Sequence, residues 1–156
     1  MKEQHPQPQQ QTNSNPPPGT PVQADVLAEP KAGGGVKFSL EWRFKGQTNG
    51  RKDPIDIPPM NHGDPGTTIH FHLHDTTGRG FQFNTVDPIW VSRIRCPKEA
   101  SEDPEIPKDQ IEARFKLLKV FNTNRDKCEL RYALLFKDRD DKPEAYDPSI
   151  KNGGTV

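Results

Sequence analysis

Cysteine is scarce in this sequence. Of its 156 residues only Cys96 and Cys128 carry a thiol, and neither a CxxC motif nor the Cys/His spacing of a zinc finger occurs. Two cysteines cannot build the dense disulfide framework of a small secreted domain. We therefore expect both side chains to behave as small buried hydrophobic groups with inert thiols, as is usual in a reducing compartment.

Long apolar runs and net charge are also absent. No stretch of 18 apolar residues occurs, and the opening MKEQHPQPQQQTNSN lacks the apolar segment of a signal peptide. We expect no membrane segment and, by default, a cytoplasmic location. Lys plus Arg and Asp plus Glu both number 22, and acidic residues directly follow the small basic patch of Arg93, Arg95 and Lys98. We therefore expect no nucleic-acid partner.

Sequence motifs of catalysis are missing as well. There is no GxSxG nucleophile elbow, no phosphate-binding P-loop and no dinucleotide-binding fingerprint. The acidic segment 138–147 lacks the central glycine of an EF-hand, and Ser149 stands where that loop requires its bidentate glutamate. We therefore predict no catalytic residue and no calcium site, and an enzyme is the less favoured class.

Hydrophobic residues are few, at 29% of the chain, and a polar tail explains the deficit. Residues 1–35 consist mainly of Gln, Pro, Asn, Thr and Gly without an aromatic side chain, so they cannot bury enough apolar surface to offset the entropy of ordering. We predict a disordered Pro/Gln-rich tail over 1–35 and one folded domain over 36–156. The alternative for the tail is a proline-rich ligand at PPPGTP, residues 16–21.

The folded part is dominated by a two-residue alternation of apolar and polar side chains. From Val36 onward, four large apolar residues alternate with polar ones, which places them on one face of a strand. The pattern recurs at 69–75, 81–84 and 89–96 and in a hairpin from about 116 to 136, between Pro, Gly and Asp turns. We predict an all-β fold: an antiparallel immunoglobulin-like β-sandwich of about seven strands.

Five segments carry a resemblance to a known group of proteins. In order they read TIHFHLHD, PIWVSRIRCP, LKVFNTN, CELRYALLF and YDPSIKNGG. Their layout, over roughly residues 36 to 154, resembles that of short uncharacterised bacterial proteins with a single β-sandwich domain. Because that group has no assigned activity, the resemblance implies a fold and no mechanism or site residue.

Three histidines alternate in the segment IHFHLHD. On a strand that rises about 3.3 Å per residue, His70, His72 and His74 share one face, and neighbouring members stand about 6.6 Å apart. Two of them could chelate zinc or another divalent transition metal, with His62 or Asp75 completing the site. His-x-His is similar to the zinc strand of animal-type carbonic anhydrases, but the likeness covers this strand alone and implies no enzyme here.

The alternative for these histidines is a solvated strand face that binds nothing, with Ile69, Phe71 and Leu73 turned toward the core. A third interpretation is a pH response, because three imidazoles that gain protons below about pH 6.5 would repel one another.

Two functions follow from these features. The first is a non-catalytic β-sandwich module without a cofactor, which binds a protein or small ligand through the breaker-rich loops 46–67 and 97–110. The alternative is a metal-binding protein, hydrolytic if a ligand position stays open, that uses His70, His72, His74 and His62. The sequence specifies no oligomeric state.

Overall fold

A computed structural model describes residues 15–95 and 104–155 of the chain; residues 1–14, 96–103 and 156 lie outside the described part. The described residues form two six-stranded β-sheets and contain no α-helix, only a 3₁₀ turn at Lys108–Gln110. None of this part forms a helix with the length and apolar character that a membrane crossing needs. The prediction of an all-β, two-sheet fold is confirmed.

Twelve strands make up the two sheets. They are β1 (Val22–Pro30), β2 (Val36–Phe44), β3 (Arg51–Lys52), β4 (Ile55–Ile57), β5 (Thr67–Asp75), β6 (Gln82–Phe83), β7 (Ile89–Arg95), β8 (Glu112–Ala113), β9 (Leu117–Asn122), β10 (Glu129–Lys137), β11 (Pro143–Tyr146) and β12 (Ser149–Asn152). The first sheet has the order β3-β2-β1-β5-β9-β8. In the second, β10 pairs with β11 and β12 along one edge and with β6 and β7 along the other, and β4 extends the sheet beyond β12.

The prediction of a disordered tail over residues 1–35 is wrong for the strand β1. This strand lies inside the first sheet, between β2 and β5, and its Val22, Ala24, Val26 and Ala28 are fully buried. The segment VQADVLAEP alternates small apolar and other residues with the period of a strand. Its composition, averaged with the surrounding Pro and Gly, concealed that pattern. Residues 1–14 of the predicted tail lie outside the described residues.

The prediction of purely antiparallel sheets is also wrong. Strand β1 runs parallel to β5, and β4 runs parallel to β12, so both sheets are mixed. Parallel neighbours need long crossover connections, and the stretches that follow β1 and β4 are long enough to supply them. The strand count exceeds seven partly because 46–67, predicted as a loop, contributes β3 and β4.

The core lies between the two sheets and is rich in large side chains. Twelve of them have less than 2% of their surface exposed. They are Trp42, Ile55, Ile57, Ile69, Phe71, Phe81, Phe83, Leu118, Leu130, Tyr132, Leu134 and Phe136. Each such burial contributes about 1.5–3 kcal/mol before entropy is subtracted, so this layer holds the sheets together.

A buried pair of asparagine side chains also joins the two sheets. Asn122 at the end of β9 and Asn152 at the end of β12 exchange two hydrogen bonds, Nδ2 to Oδ1, of 2.7 and 2.9 Å. Asn122 Oδ1 also accepts the backbone N–H of Asn124 at 3.0 Å. Both members of the pair are buried, so each amide depends on the other to replace its lost water contacts.

Cys128, just before β10, is buried and disulfide-bonded. The expectation of an inert free thiol is therefore wrong at this position. Cys96 lies outside the described residues.

Candidate functional sites: the histidine face and the β7 edge

The three histidines of β5 lie on the outer face of the first sheet. Ile69, Phe71 and Leu73 between them are buried, whereas His70 and His72 are half-buried and His74 is exposed. The alternation in the sequence thus gives the orientation of this strand. The polar side chains next to the histidines come from the neighbouring strand β1.

Gln23 of β1 bridges two of the histidines. Its Nε2 lies 3.1 Å from His70 Nδ1, and its Oε1 lies 2.9 Å from His72 Nε2. A carboxamide nitrogen only donates and a carboxamide oxygen only accepts, so His70 Nδ1 accepts a hydrogen bond and His72 Nε2 donates one. Gln23 therefore holds both neutral rings in the tautomer that carries its proton on Nε2. Protonation of His70 at Nδ1 would remove one of these bonds.

His74 and Arg43 both bind Asp25 of β1. His74 Nε2 lies 2.9 Å from Asp25 Oδ1, and Arg43 Nη1 donates to Asp25 Oδ2 at 3.1 Å. Burial by itself would raise the pKa of Asp25, but the hydrogen bonds from His74 and Arg43 outweigh it, and the pKa lies below its ordinary value. Asp25 is therefore a carboxylate that two side chains keep ionised.

The electrostatic surroundings of His70 oppose its protonation. Burial is the largest cause, followed by the positive charges of Lys119, His72 and Lys45, and together they lower the pKa of His70 from 6.5. A neutral imidazole also suits the hydrogen bond that His70 accepts from Gln23.

The predicted metal ligands do not converge in the described structure. The rings of His70 and His72 are 6.4 Å apart between centroids and nearly perpendicular, while His74 is engaged by Asp25. His62 is exposed in the connection between β4 and β5. Within residues 15–95 and 104–155, one trio of metal-ligating side chains has its donor atoms within 4.8 Å of one another, and it contains no histidine.

That trio consists of Glu105, Asp126 and Cys128. The carboxylate of Glu105 is buried and accepts hydrogen bonds from Thr123 Oγ1 at 2.7 Å and from the backbone N–H groups of Arg125 and Asp126 at 3.1 and 3.2 Å. Glu105 thus anchors the turn between β9 and β10.

Two further contacts argue against a metal ion at this trio. Arg93 Nη2 lies 3.9 Å from Glu105 Oε1 and 4.0 Å from Asp126 Oδ2, so a side-chain cation already faces both carboxylates. Cys128 is disulfide-bonded, and metal coordination by cysteine requires a thiolate. The trio is therefore a structural anchor.

The edge strand β7 borders a large cleft. Its volume is 690 Å³, and it opens between β7 and the segment 104–111 that leads into β8. Apolar side chains of both sides line it: Ile89, Val91, Ile106, Ile111 and, from β10, Leu130. An apolar cleft with polar groups at its rim is the usual form of a binding site.

On the side of β7 away from β10, the backbone groups of Ile89 and Val91 pair with no other strand among the described residues. Pro88 O accepts the N–H of Leu135 at 2.9 Å, and the register pairs Ile89 with Leu134 and Val91 with Tyr132. In an antiparallel pair the inward and outward residues alternate, so Ile89 and Val91 turn their N–H and C=O groups away from β10. Within the part of the chain that the structure describes, β7 pairs with β10 alone.

Exposed large hydrophobic side chains gather on this side of the molecule. The described residues include four of them: Val86 is 94% exposed, Phe115 68%, Trp90 54% and Ile94 41%. Trp90 and Ile94 lie on β7, and Val86 precedes it. Phe115 O accepts the N–H of Phe83 in β6, the neighbouring strand on the same edge of β10. Exposed large hydrophobic side chains therefore lie on and next to β6 and β7.

Of the two loops predicted to bind a partner, one lies at this surface. Residues 104–110 of the stretch 97–110 line the cleft, and residues 97–103 lie outside the described part. The stretch 46–67 instead supplies β3 and β4 to the sheets.

No protein-family model matches this chain, and no curated protein sequence matches it.

Proposed function

We propose that the protein is a non-catalytic β-sandwich binding module that takes up an extended protein segment along β7. The N–H and C=O groups of Ile89 and Val91, which point away from β10 and pair with no other strand of the described chain, carry this proposal. Backbone groups of this kind bind a further strand by main-chain hydrogen bonds. An immunoglobulin-like arrangement of the sandwich stays a prediction within this proposal.

The surroundings of β7 supply the side-chain contacts that an added strand needs. Successive side chains of a strand point to opposite faces. One set of partner side chains would therefore enter the apolar cleft beside Val91 and Ile106, and the other would contact Trp90 and Ile94. This combination favours a segment with alternating apolar residues.

The decisive experiment selects random peptides displayed on phage against the immobilised protein. We expect enriched peptides with apolar residues at every second position. Binding should be lost in Val91→Pro, because proline removes the outward N–H while the bonds to β10 come from Trp90 and Ser92. Val91→Thr keeps both the N–H and the side-chain size and is the matched control. Equal binding to wild type and Val91→Pro would refute the proposal.

A metal-binding protein is the second proposal, supported by the outward position of His70 and His72. Gln23 engages one ring nitrogen of each. The other nitrogen of each ring, His70 Nε2 or His72 Nδ1, is not bound to Gln23. Zinc, copper or nickel is the class of ion that two imidazoles suit. A hydrolytic role would further require an open ligand position.

The location proposed from the sequence was the cytoplasm. The disulfide at Cys128 supports an oxidising compartment instead, because cytosolic proteins rarely retain such a bond.

A further inference from the structure

We propose that the outer face of the first sheet binds a phosphate-like oxyanion beside His70, held by Lys45, Thr68, His70 and Lys119. This site is separate from the strand-binding edge, because β7 belongs to the second sheet. Ammonium and N–H groups that converge on one place form charge-assisted hydrogen bonds with an oxyanion.

One row of paired residues crosses this face. Gln23 of β1 pairs with His70 of β5, and His70 pairs with Lys119 of β9. Residues that face each other in an antiparallel pair share one side of the sheet, with Cβ atoms about 4.5–5.5 Å apart. Thr68, two residues before His70, points to the same side and is half-buried. Thr68 and Lys119 therefore flank the His70 ring.

The tautomer of His70 leaves one donor for a ligand. Its Nδ1 accepts a hydrogen bond from Gln23 Nε2 at 3.1 Å, so the neutral ring carries its proton on Nε2. This ring forms no second hydrogen bond within the described part of the chain. An anion oxygen can therefore accept the Nε2–H while the contact with Gln23 stays in place.

The charges that act on His70 are cationic. Burial, and then the positive charges of Lys119, His72 and Lys45, lower the pKa of His70. Lys45, which directly follows β2, and Lys119 are both exposed, and neither forms an ion pair with another described residue. Two ammonium groups without a counter-ion attract an anion to the space between them.

The neighbouring carboxylates do not fill this space. Asp25 is already held by two side chains of the same face. Glu112 of β8 faces Lys119 from the side away from His70, and the two form no ion pair in the described structure. The space beside His70 is therefore open to an anion from solution.

The positions of the donors also restrict the shape of the anion. Lys45 approaches from the end of β2, Thr68 and His70 belong to β5, and Lys119 approaches from β9 on the opposite side. Donors from three directions need separate acceptor oxygens. A tetrahedral phosphate or sulfate group offers them, whereas a planar carboxylate has two oxygens in one direction.

The test is an NMR titration of the full chain with sodium phosphate at constant pH and ionic strength. We expect the signals of Lys45, Thr68, His70 and Lys119 to shift together and to saturate with one dissociation constant. Sulfate should compete for the same site, and acetate at the same concentration should shift these signals little. Constant ionic strength separates binding from the screening of surface charges.

Substitutions assign the binding to particular donors. His70→Phe removes the N–H and should weaken phosphate binding at least about tenfold, as expected for a hydrogen bond to a charged group. Lys45→Ser and Lys119→Ser should each weaken it about twofold to fivefold, the contribution of one exposed ion pair. Lys151→Ser removes an exposed lysine of the second sheet and is the matched control. Circular dichroism checks the fold of each variant.

Four results would overturn the oxyanion site: no saturable shift with phosphate, an equal response to acetate, unchanged affinity in His70→Phe, or the same loss in Lys151→Ser as in Lys119→Ser. Saturation of the His70 signals by zinc but not by phosphate would also overturn it, and would support the metal-binding alternative. None of these results affects the strand-binding edge, which the peptide selection tests separately.

Discussion

Replacement of Asn122 by leucine tests the buried joint between the sheets. The substitution removes both hydrogen bonds to Asn152 and the acceptor of the Asn124 N–H, while it keeps a side chain of similar size. Asn122 is fully buried and Asn152 is 3% exposed, so water cannot easily replace the lost partners.

The expected loss in the free energy of unfolding follows from the number of polar groups left unpaired. Two buried hydrogen bonds contribute about 1 kcal/mol each, and leaving the Asn152 amide without a partner costs a further ~1–3 kcal/mol. We therefore expect Asn122→Leu to lower the free energy of unfolding by about 3–5 kcal/mol, which is a large part of the stability of a domain of this size.

A double-mutant cycle measured by chemical denaturation distinguishes this pair from two independent side chains. In Asn122→Leu/Asn152→Leu neither side-chain amide of the pair remains, so the double variant should be more stable than the sum of the single losses predicts, by at least about 1 kcal/mol. Additive losses would contradict the reciprocal dependence of the two amides.

Four further predictions concern the histidine face and the cysteine. The pKa of folded His70 lies below 6.5, so as the pH falls the unfolded chain binds a proton at this residue before the folded chain does. The free energy of unfolding should therefore fall as the pH drops below 6.5. His70→Asn should flatten this pH dependence, and an unchanged pH profile of stability would refute its assignment to His70. Asp25 has a lowered pKa, so the stability that its carboxylate contributes is present above pH 3.8 and should be lost as the pH falls further. Asp25→Asn should remove this pH-dependent loss of stability. Untagged protein should bind zinc at substoichiometric levels, and a tight one-to-one ion that disappears in His72→Ala would establish the metal-binding alternative instead. Denatured protein should expose a Cys128 thiol to alkylation only after reduction; labelling without reductant would contradict the disulfide.

The alternation of the sequence predicted strand orientation well where one face is entirely apolar. In β5 and β10 the large apolar residues alternate strictly, and burial follows the pattern. In β7 the alternation favours the face of Trp90, Ile94 and Cys96 as the inward one, and this is wrong for Trp90 and Ile94, which are 54% and 41% exposed, whereas Ile89 is 7% exposed. Packing against β10 decides in favour of Ile89 and Val91, which leaves the larger Trp90 exposed.

The strand β1 shows why composition misled the prediction of the tail. Its inward residues are Val and Ala, which bury little area each, and the nearby Pro and Gly are typical of disordered segments. The strand is stabilised by partners distant in sequence, β2 and β5. Local sequence does not contain that information, and it equally could not reveal that Gln23 and Asp25 engage the histidines.

Amide hydrogen exchange along β7 tests the open edge most directly. In the free protein, the amides of Ile89 and Val91 should exchange rapidly, whereas those of Trp90 and Ser92, which donate to β10, should be protected. With a selected peptide bound, Ile89 and Val91 should become protected too. Protection of Ile89 and Val91 in the free protein, or no gain of protection on binding, would contradict a strand-binding edge at β7.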